Sequence, residues 1–256
     1  MCLLVFAWQT HPDYPLIFAG NRDERHARAA SSASFWEDAP EVLAGRDLEA
    51  GGTWVGVTSA GRFAVVTNFR EGLNPPKARR SRGELAAEFL RGNMGVRDYV
   101  DRLRGRQRDY GAFSFLCGDR RELHYVSNRD NHPGPVEPGI HGLSNHLLDT
   151  PWPKVERSRA RLSLLLEQSA VSSAALLRLL SDRQEADATE LPDTGIGAEL
   201  EQRVSAPFVV NPVYGTRCST AIRLHVDGTV RFAERVFTPA GVAVETRYFH
   251  VADGAA

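Results

Sequence analysis

The chain has 256 residues, 42% of them hydrophobic, enough to bury a large core as one sizeable domain or two small ones. Lys plus Arg (31) balances Asp plus Glu (32), so the strong single-sign field that nucleic-acid or anionic-membrane binding requires is absent. Lys occurs only at 77 and 154, so nearly all the positive charge is Arg.

Strand-like runs come in pairs joined by turn residues. Runs 3–8 and 16–19 flank His11-Pro12-Asp13-Tyr14-Pro15, and runs 53–58 and 62–67 flank Ser59-Ala60-Gly61. Ser81-Arg82-Gly83-Glu84 reads as a capping box opening a helix that ends at Gly92, with a second helix over 96–104. Runs 112–117 and 122–127 flank Gly118-Asp119, and helices follow over 153–168 and 172–183. The strongest short hairpin signal is Asp227-Gly228 between 221–226 and 230–236, with a further strand over 242–251. Hairpins with segregated helices predict a single α+β domain, 1–256, with helices covering antiparallel sheets.

Three cysteines, at 2, 117 and 218, form no CxxC pair and cannot all pair with one another, which fits a reducing, cytoplasmic setting. The opening apolar run lacks a basic leader, and no stretch is long enough to span a membrane, so no integral membrane segment is expected. The eight His show no HExxH or paired ligand spacing, so neither a metal nor another cofactor is expected.

Cys2 follows Met1 at the head of the first run, Cys2-Leu3-Leu4-Val5-Phe6-Ala7-Trp8. Removal of Met1, which a small second residue permits, leaves a thiol and an α-amine on one residue. A thiol titrates near ~8.5 and an α-amine near ~7.7–8.0, so the amine can accept the thiol proton around neutral pH without a histidine. The competing reading is a small apolar residue packed on the first strand. Asn21-Arg22-Asp23-Glu24 leaves the second strand where the hairpin returns beside Cys2. In an extended chain Asn21 and Asp23 point one way, Arg22 and Glu24 the other, which makes Asp23 the carboxylate that orients the amine. A solvated strand end held by Arg–Glu pairs is the alternative. Cys117 and Cys218 read as core. The basic clusters 77–82 and 102–108 read as solvated helix faces or as a grip on a phosphorylated ligand such as coenzyme A.

Met1-Cys2 on an apolar strand, Asn21-Arg22-Asp23-Glu24, Gly51-Gly52-Thr53-Trp54, Thr67-Asn68-Phe69-Arg70, Ser81-Arg82-Gly83-Glu84, and Leu143-Ser144-Asn145 leading to Pro151-Trp152-Pro153-Lys154 together resemble the NRDE family, which includes the transport and Golgi organisation 2 proteins. The resemblance implies the four-layer αββα fold of N-terminal nucleophile hydrolases, distantly related to cysteine hydrolases that cleave penicillin V and conjugated bile salts. Carried over, the hydrolase pattern makes Cys2 the nucleophile and Asp23 the partner of its amine. Asn68 and Asn145 resemble the asparagines that hold the amine or polarise a carbonyl, a task suited to neutral amide donors. Arg217, in Gly215-Thr216-Arg217-Cys218, resembles a late arginine beside the nucleophile. The distant hydrolases place an Arg immediately before the residue aligned with Asn21. Gly20 stands there in this chain and Arg22 follows, which leaves the role of Arg22 open. Taken bottom-up, Asn68 and Asn145 also suit turns or strand ends, and Arg217 a surface ion pair.

Two functions follow. One is an N-terminal cysteine amidohydrolase or acyltransferase acting on an amide or thioester. The other is a non-catalytic binding or trafficking protein handling acyl-coenzyme A, haem or a lipid-like ligand. Both expect a small-molecule acyl or lipid-like ligand and no nucleic acid.

Overall fold

Alternation along the first hairpin sets the layers. β1 (Cys2–Trp8) and β2 (Leu16–Arg25) pair antiparallel, Cys2 opposite Arg22 and Trp8 opposite Leu16. Even-numbered Leu4, Phe6, Trp8, Leu16 and Phe18 enter one core, and odd-numbered Val5, Ala7, Ile17 and Ala19 enter another. Both faces are therefore covered, and a second sheet and a helical layer do the covering. The computed structural model describes residues 2–130, 133–168 and 171–252. Met1, whose removal the nucleophile reading needs, lies outside the described residues.

After β2 the chain forms β3 (Ala30–Trp36), β4 (Ala39–Asp47), β5 (Val55–Thr58), β6 (Phe63–Asn68), α1 (Gly83–Arg91), α2 (Val96–Arg104), β7 (Phe113–Gly118), β8 (Leu123–Ser127), β9 (Gly134–Pro135) and β10 (Gly139–Leu143). It continues through α3 (Pro153–Leu166), α4 (Ser173–Leu179), α5 (Ala198–Arg203), β11 (Tyr214–Leu224), β12 (Val230–Phe237) and β13 (Ala243–Val251). One sheet has the order β10-β1-β2-β11-β12-β13 and the other β3-β4-β5-β6-β7-β8-β9, with antiparallel neighbours throughout.

The sheets stack through Phe6, Trp8, Phe18, Phe63 and Phe232, all fully buried, with the Phe18 and Phe63 rings 5.2 Å apart. Each such side chain contributes roughly 1.5–3 kcal/mol by leaving water, which fixes how the sheets sit and where their ends open. Leu85, Phe89, Tyr99 and Leu103 of α1 and α2 cover the outer face of the seven-stranded sheet. Leu162, Leu176 and Leu177 of α3 and α4 cover the six-stranded one. The result is the α+β, four-layer αββα sandwich. Among the described residues no helix is long and apolar enough to cross a membrane.

Several elements differ from the sequence expectation. β2 does not stop at Ala19, because β11 pairs with it as far as Arg25, so Asn21-Arg22-Asp23-Glu24 lies inside the strand. The Glu84 carboxylate accepts from the Ser81 amide at 3.0 Å, but the N-cap is Arg82 and no side chain caps the helix, so half the predicted box forms. The helices expected over 153–168 and 172–183 end earlier, at Leu166 and Leu179. Much of the basic stretch 77–82 is spent on ion pairs, Arg80 with Glu84 and Glu88, while Arg82 turns inward.

Candidate active site

The head of β1 is held from both sides by the chain leaving β10. Leu143 pairs with Leu4, which carries Ser144 and Asn145 past the start of β1. The Ser144 hydroxyl donates to the Cys2 carbonyl at 2.8 Å, and the Cys2 amide donates to Asn145 Oδ1 at 3.2 Å. Asn145, fully buried, spends its Nδ2 on Asn68, donating to the backbone oxygen at 2.9 Å and to Oδ1 at 3.1 Å. Asn145 thus ties Cys2 to the end of β6, joining the two sheets at one point.

Cys2 shares the inter-sheet face with Arg22 and Glu24. The Arg22 guanidinium stacks 4.2 Å above the Trp54 ring and lies 3.9 Å from Glu24. The opposite wall comes from Gly51-Gly52-Thr53-Trp54 docked on the start of α1. A Cβ on Gly52 would fall 2.4 Å from the Gly83 carbonyl carbon, so only glycine lets Thr53 N reach Gly83 O at 3.1 Å. Cys2, Arg22, Asp23, Trp54, Asn68 and Arg82 bound a cleft of about 150 Å³. It shares Glu24, Asn68 and Arg82 with a larger space of about 600 Å³ between Leu73, Ile196, Leu200, Val209 and Val213. Burial pushes the Cys2 thiol up and the Asp23 charge adds to this, while the Asp23 backbone and Arg22 work against it. Burial also lowers the Arg82 guanidinium, which Cys2 opposes.

Asp23 points to the other face of the sheet, toward α3. It is 2% exposed, and its Oδ1 accepts from Thr216 Oγ1 at 2.7 Å. The Tyr214 hydroxyl donates to its backbone oxygen at 2.9 Å. Burial raises the Asp23 carboxyl, and Lys154 and Thr216 hold it down. Lys154, 2% exposed in the first turn of α3, donates to Val204 O at 2.9 Å. Burial lowers its ammonium to about 8, with Asp23 opposing. Beyond it, Arg70 and Glu201 form a buried pair at 3.0 Å. Asn21, on the same face, is a structural tie: Nδ2 donates to Leu180 O and Pro207 O, and Oδ1 accepts from Ser219.

Of the residues singled out from sequence, Cys2, Arg22 and Asn68 line the cleft, Asp23 borders it while its carboxylate bonds Thr216 on the other face, and Asn145 lies directly behind Cys2. Arg217 does not join them. It sits in the bulge between Thr216 and Cys218 and donates to the backbone oxygens of Arg25 and Arg28. There it lines a separate pocket of about 40 Å³ with Arg22, Trp54, Cys218 and Glu234. Guanidinium groups that share the cleft with the Cys2 side chain include those of Arg22 and Arg82. Cys117 and Cys218 are buried, and burial pushes both thiols up. Ser144, Lys154 and Arg82 stand inside recognised motifs but carried no assigned role. Thr216 and Tyr214 had no local signal, since they meet Asp23 only through pairing 193 and 191 residues away. Among the described residues no group of His, Cys, Asp and Glu is arranged to hold a metal ion.

Residues 1–239 match the family model described as Transport and Golgi organisation 2. The chain is 37% identical to the Transport and Golgi organization protein 2 homolog of Bos taurus, with 92% of each chain covered. It is 34% identical to the Homo sapiens homolog, again over 92% of each. Among solved structures, the Caenorhabditis elegans N-acylethanolamine-hydrolyzing acid amidase ortholog superposes with a TM-score of 0.52 at 9% identity, covering 86% of this chain and 92% of the other. The C2A mutant of the Clostridium perfringens conjugated bile acid hydrolase gives 0.53 at 8% identity over 97% and 96%. These two likenesses establish the N-terminal nucleophile hydrolase-like fold alone. On the family match and the two homologs, this chain belongs to the Transport and Golgi organisation 2 family.

Proposed function

We propose that Cys2, once Met1 is removed, is the nucleophile of an amidohydrolase or acyltransferase acting on an amide or thioester. One observation carries this reading: the nitrogen of Cys2 is claimed by Asn145 Oδ1, while its side chain faces a cleft shared with Arg22 and Asn68. A free amine at that nitrogen stays beside Asn145 and next to Asp23, and takes the Sγ–H proton. The thiolate attacks the carbonyl carbon, and the resulting oxyanion accepts a hydrogen bond from Asn68 Nδ2, since Asn68 Oδ1 is already engaged by Asn145. The amine then returns its proton to the departing nitrogen or sulfur, leaving a thioester on Cys2. Water or another acceptor, deprotonated by the same amine, attacks that thioester, releases the acyl group and restores the thiol. In this scheme Asn145 holds the amine and Asn68 the oxyanion. Arg22 contributes positive potential at the sulfur.

The adjoining space of about 600 Å³ suits an acyl or lipid-like small molecule. It equally favours the second reading, a protein that binds or carries such a ligand without turning it over, and the upward push of burial on the Cys2 thiol points the same way. Both readings take residues 1–256 as one domain without a nucleic-acid partner, and the three unpaired cysteines support a cytoplasmic setting.

Intact mass, timed iodoacetamide labelling with peptide mapping, and mass spectrometry after mixing with acyl-coenzyme A and N-acyl amide panels test the proposal. The expected results are loss of Met1, labelling of Cys2 ahead of Cys117 and Cys218, and a covalent acyl adduct that vanishes in Cys2→Ser while ligand affinity stays. A retained methionine, or tight binding without any adduct and unchanged in Cys2→Ser, transfers the conclusion to the second reading.

A further inference from the structure

Arg22 is a buried cation with little to hold it. It stands opposite Cys2 in the β1–β2 ladder, so the two side chains are direct neighbours on the inter-sheet face. The residue is 6% exposed, its guanidinium lies 4.2 Å over the Trp54 ring, and Gly45 leaves the room that the indole fills. Stacking restrains the guanidinium but uses none of its N–H donors. Among the described residues Arg22 makes no hydrogen bond, and its nearest carboxylate, Glu24, stays at 3.9 Å. Glu24 is itself shared: Oε1 accepts from the Arg25 amide at 2.8 Å, and the carboxylate lies 3.9 Å from Arg25 and from Arg28 as well. Arg217, Cys218 and Glu234 line the pocket of about 40 Å³ beside Arg22, and none of them bonds it.

Arg82 is the second such group. It enters the cleft from the N-cap of α1, a helix start with no side-chain cap, and spends one Nη on Ala112 O at 3.1 Å, with no ion pair among the described residues. Arg28, the third guanidinium on the cleft, is satisfied by Asp47 through hydrogen bonds of 2.7 and 2.9 Å. The unbonded donors of Arg22 and Arg82 therefore open into the cleft rather than into the core. Guanidinium groups withdrawn from water without a close carboxylate are costly, and a ligand oxyacid that accepts from both removes that cost.

We propose that Arg22 and Arg82 form a subsite for a compact oxyacid, a carboxylate or a phosphate, carried by the leaving group a short link away from the bond that Cys2 attacks. This rests on the nucleophile reading above. The cleft of about 150 Å³ admits such a group and meets the apolar space of about 600 Å³ at Asn68 and Arg82. The acyl chain lies in the apolar space, its carbonyl between Cys2 and Asn68, and the departing amine carries the oxyacid in the polar cleft. The phosphates of an acyl-coenzyme A are held away from its thioester by the whole pantetheine arm, so they do not reach Arg22 while the thioester lies at Cys2. The substrate class is an N-acyl amide of a short amino acid or aminoalkyl phosphate.

The test compares N-octanoyl glycine, N-octanoyl phosphoethanolamine and the uncharged N-octanoyl glycinamide. Turnover is measured on full-length protein whose Met1 loss is verified by mass, and affinity by calorimetry on Cys2→Ser. At least one anionic amide is expected to exceed the neutral one by about 10- to 100-fold in both kcat/KM and affinity, the worth of a hydrogen bond to a charged group, and the better of the two tells carboxylate from phosphate. Arg22→Gln should bring that ratio toward unity, and Arg82→Gln serves if Arg22→Gln fails to fold. Loss of positive potential at the sulfur slows charged and neutral amides alike, so the ratio reports the subsite alone. Equal turnover of the three amides by wild type, or a preference that survives in every substituted protein that folds, overturns the proposal and leaves the nucleophile reading standing. Neither turnover nor adduct with any amide, alongside an Arg22-dependent preference in binding, overturns the nucleophile reading and upholds the subsite. Equal binding without turnover overturns both.

Discussion

Changing Asn145 to aspartate alters one atom where both sheets and Cys2 meet. Oδ1 still accepts from the Cys2 amide, but the group that donated to Asn68 O at 2.9 Å and Asn68 Oδ1 at 3.1 Å becomes an oxygen facing two oxygens. Two net hydrogen bonds are lost at about 1 kcal/mol each, and two half-buried acceptors lose their donor at up to about 1–3 kcal/mol each before relaxation. After partial relaxation a destabilisation of roughly 3–5 kcal/mol is expected, large against a total of about 5–15 kcal/mol. The introduced carboxyl prefers its proton in the folded state, because protonated it can donate to Asn68. Its folded pKa therefore lies above the unfolded value of about 3.9, and its contribution to stability is present below that value and lost as pH rises through the folded one. The gap to wild type should be smallest near pH 4 and widen toward pH 7. Urea unfolding at both pH values measures it. A gap under about 1 kcal/mol at pH 7 with an unchanged m-value, or one that fails to widen, refutes the argument.

A Cβ on Gly45 would lie 2.3 Å from Trp54 Cη2, so Gly45→Ala should push the indole away from Arg22 and cost about 1–3 kcal/mol, visible as altered tryptophan fluorescence and an earlier denaturation midpoint; a neutral effect would mean that the wall of the cleft is loosely packed. Glu234 is 1% exposed, accepts from the Ala33 amide at 2.6 Å, and has its carboxyl raised by burial. A raised folded pKa favours folding at low pH and loses that contribution as pH rises. The non-titrating Glu234→Gln should therefore match wild type near pH 4 and unfold at higher denaturant near pH 8, and a constant offset across that range would contradict the burial argument.

Local pattern reached the elements whose apolar period is clean. The alternation from Leu3 to Trp8, the Asp227-Gly228 turn, and the amphipathic stretch of α2 each appear with boundaries within a residue or two of expectation. β3 was not legible because its sequence, Ala30-Ser31-Ser32-Ala33-Ser34-Phe35-Trp36, has small polar residues where a strand needs bulk, and its pairing with β4 is interrupted by two register shifts. The place of β1 in its sheet is not legible for a different reason. β2 and β11 hold the centre and β1 lies one strand from the edge. Only the arrival of β10, which pairs Leu143 with Leu4, decides this, and no local signal encodes a contact of that range.

The candidate site divides along the same line. Strand alternation alone separates Arg22 and Glu24 from Asn21 and Asp23, and that separation holds. Arg217 stands apart from the cleft because a bulge between Thr216 and Cys218 breaks the phase of β11, turning Arg217 to the Arg25 and Arg28 carbonyls and bringing Thr216 opposite Asp23. The division has a consequence for the proposed chemistry. At the head of β1 the side chain of Cys2 opens to the inter-sheet cleft, while its nitrogen lies at the boundary with the sealed layer that holds Asp23 and Lys154. A cysteine in the middle of a strand has its nitrogen locked in the ladder and can use only the face on which its sulfur lies. A cysteine that begins the strand can use both, drawing access from the wet face and proton control from the dry one.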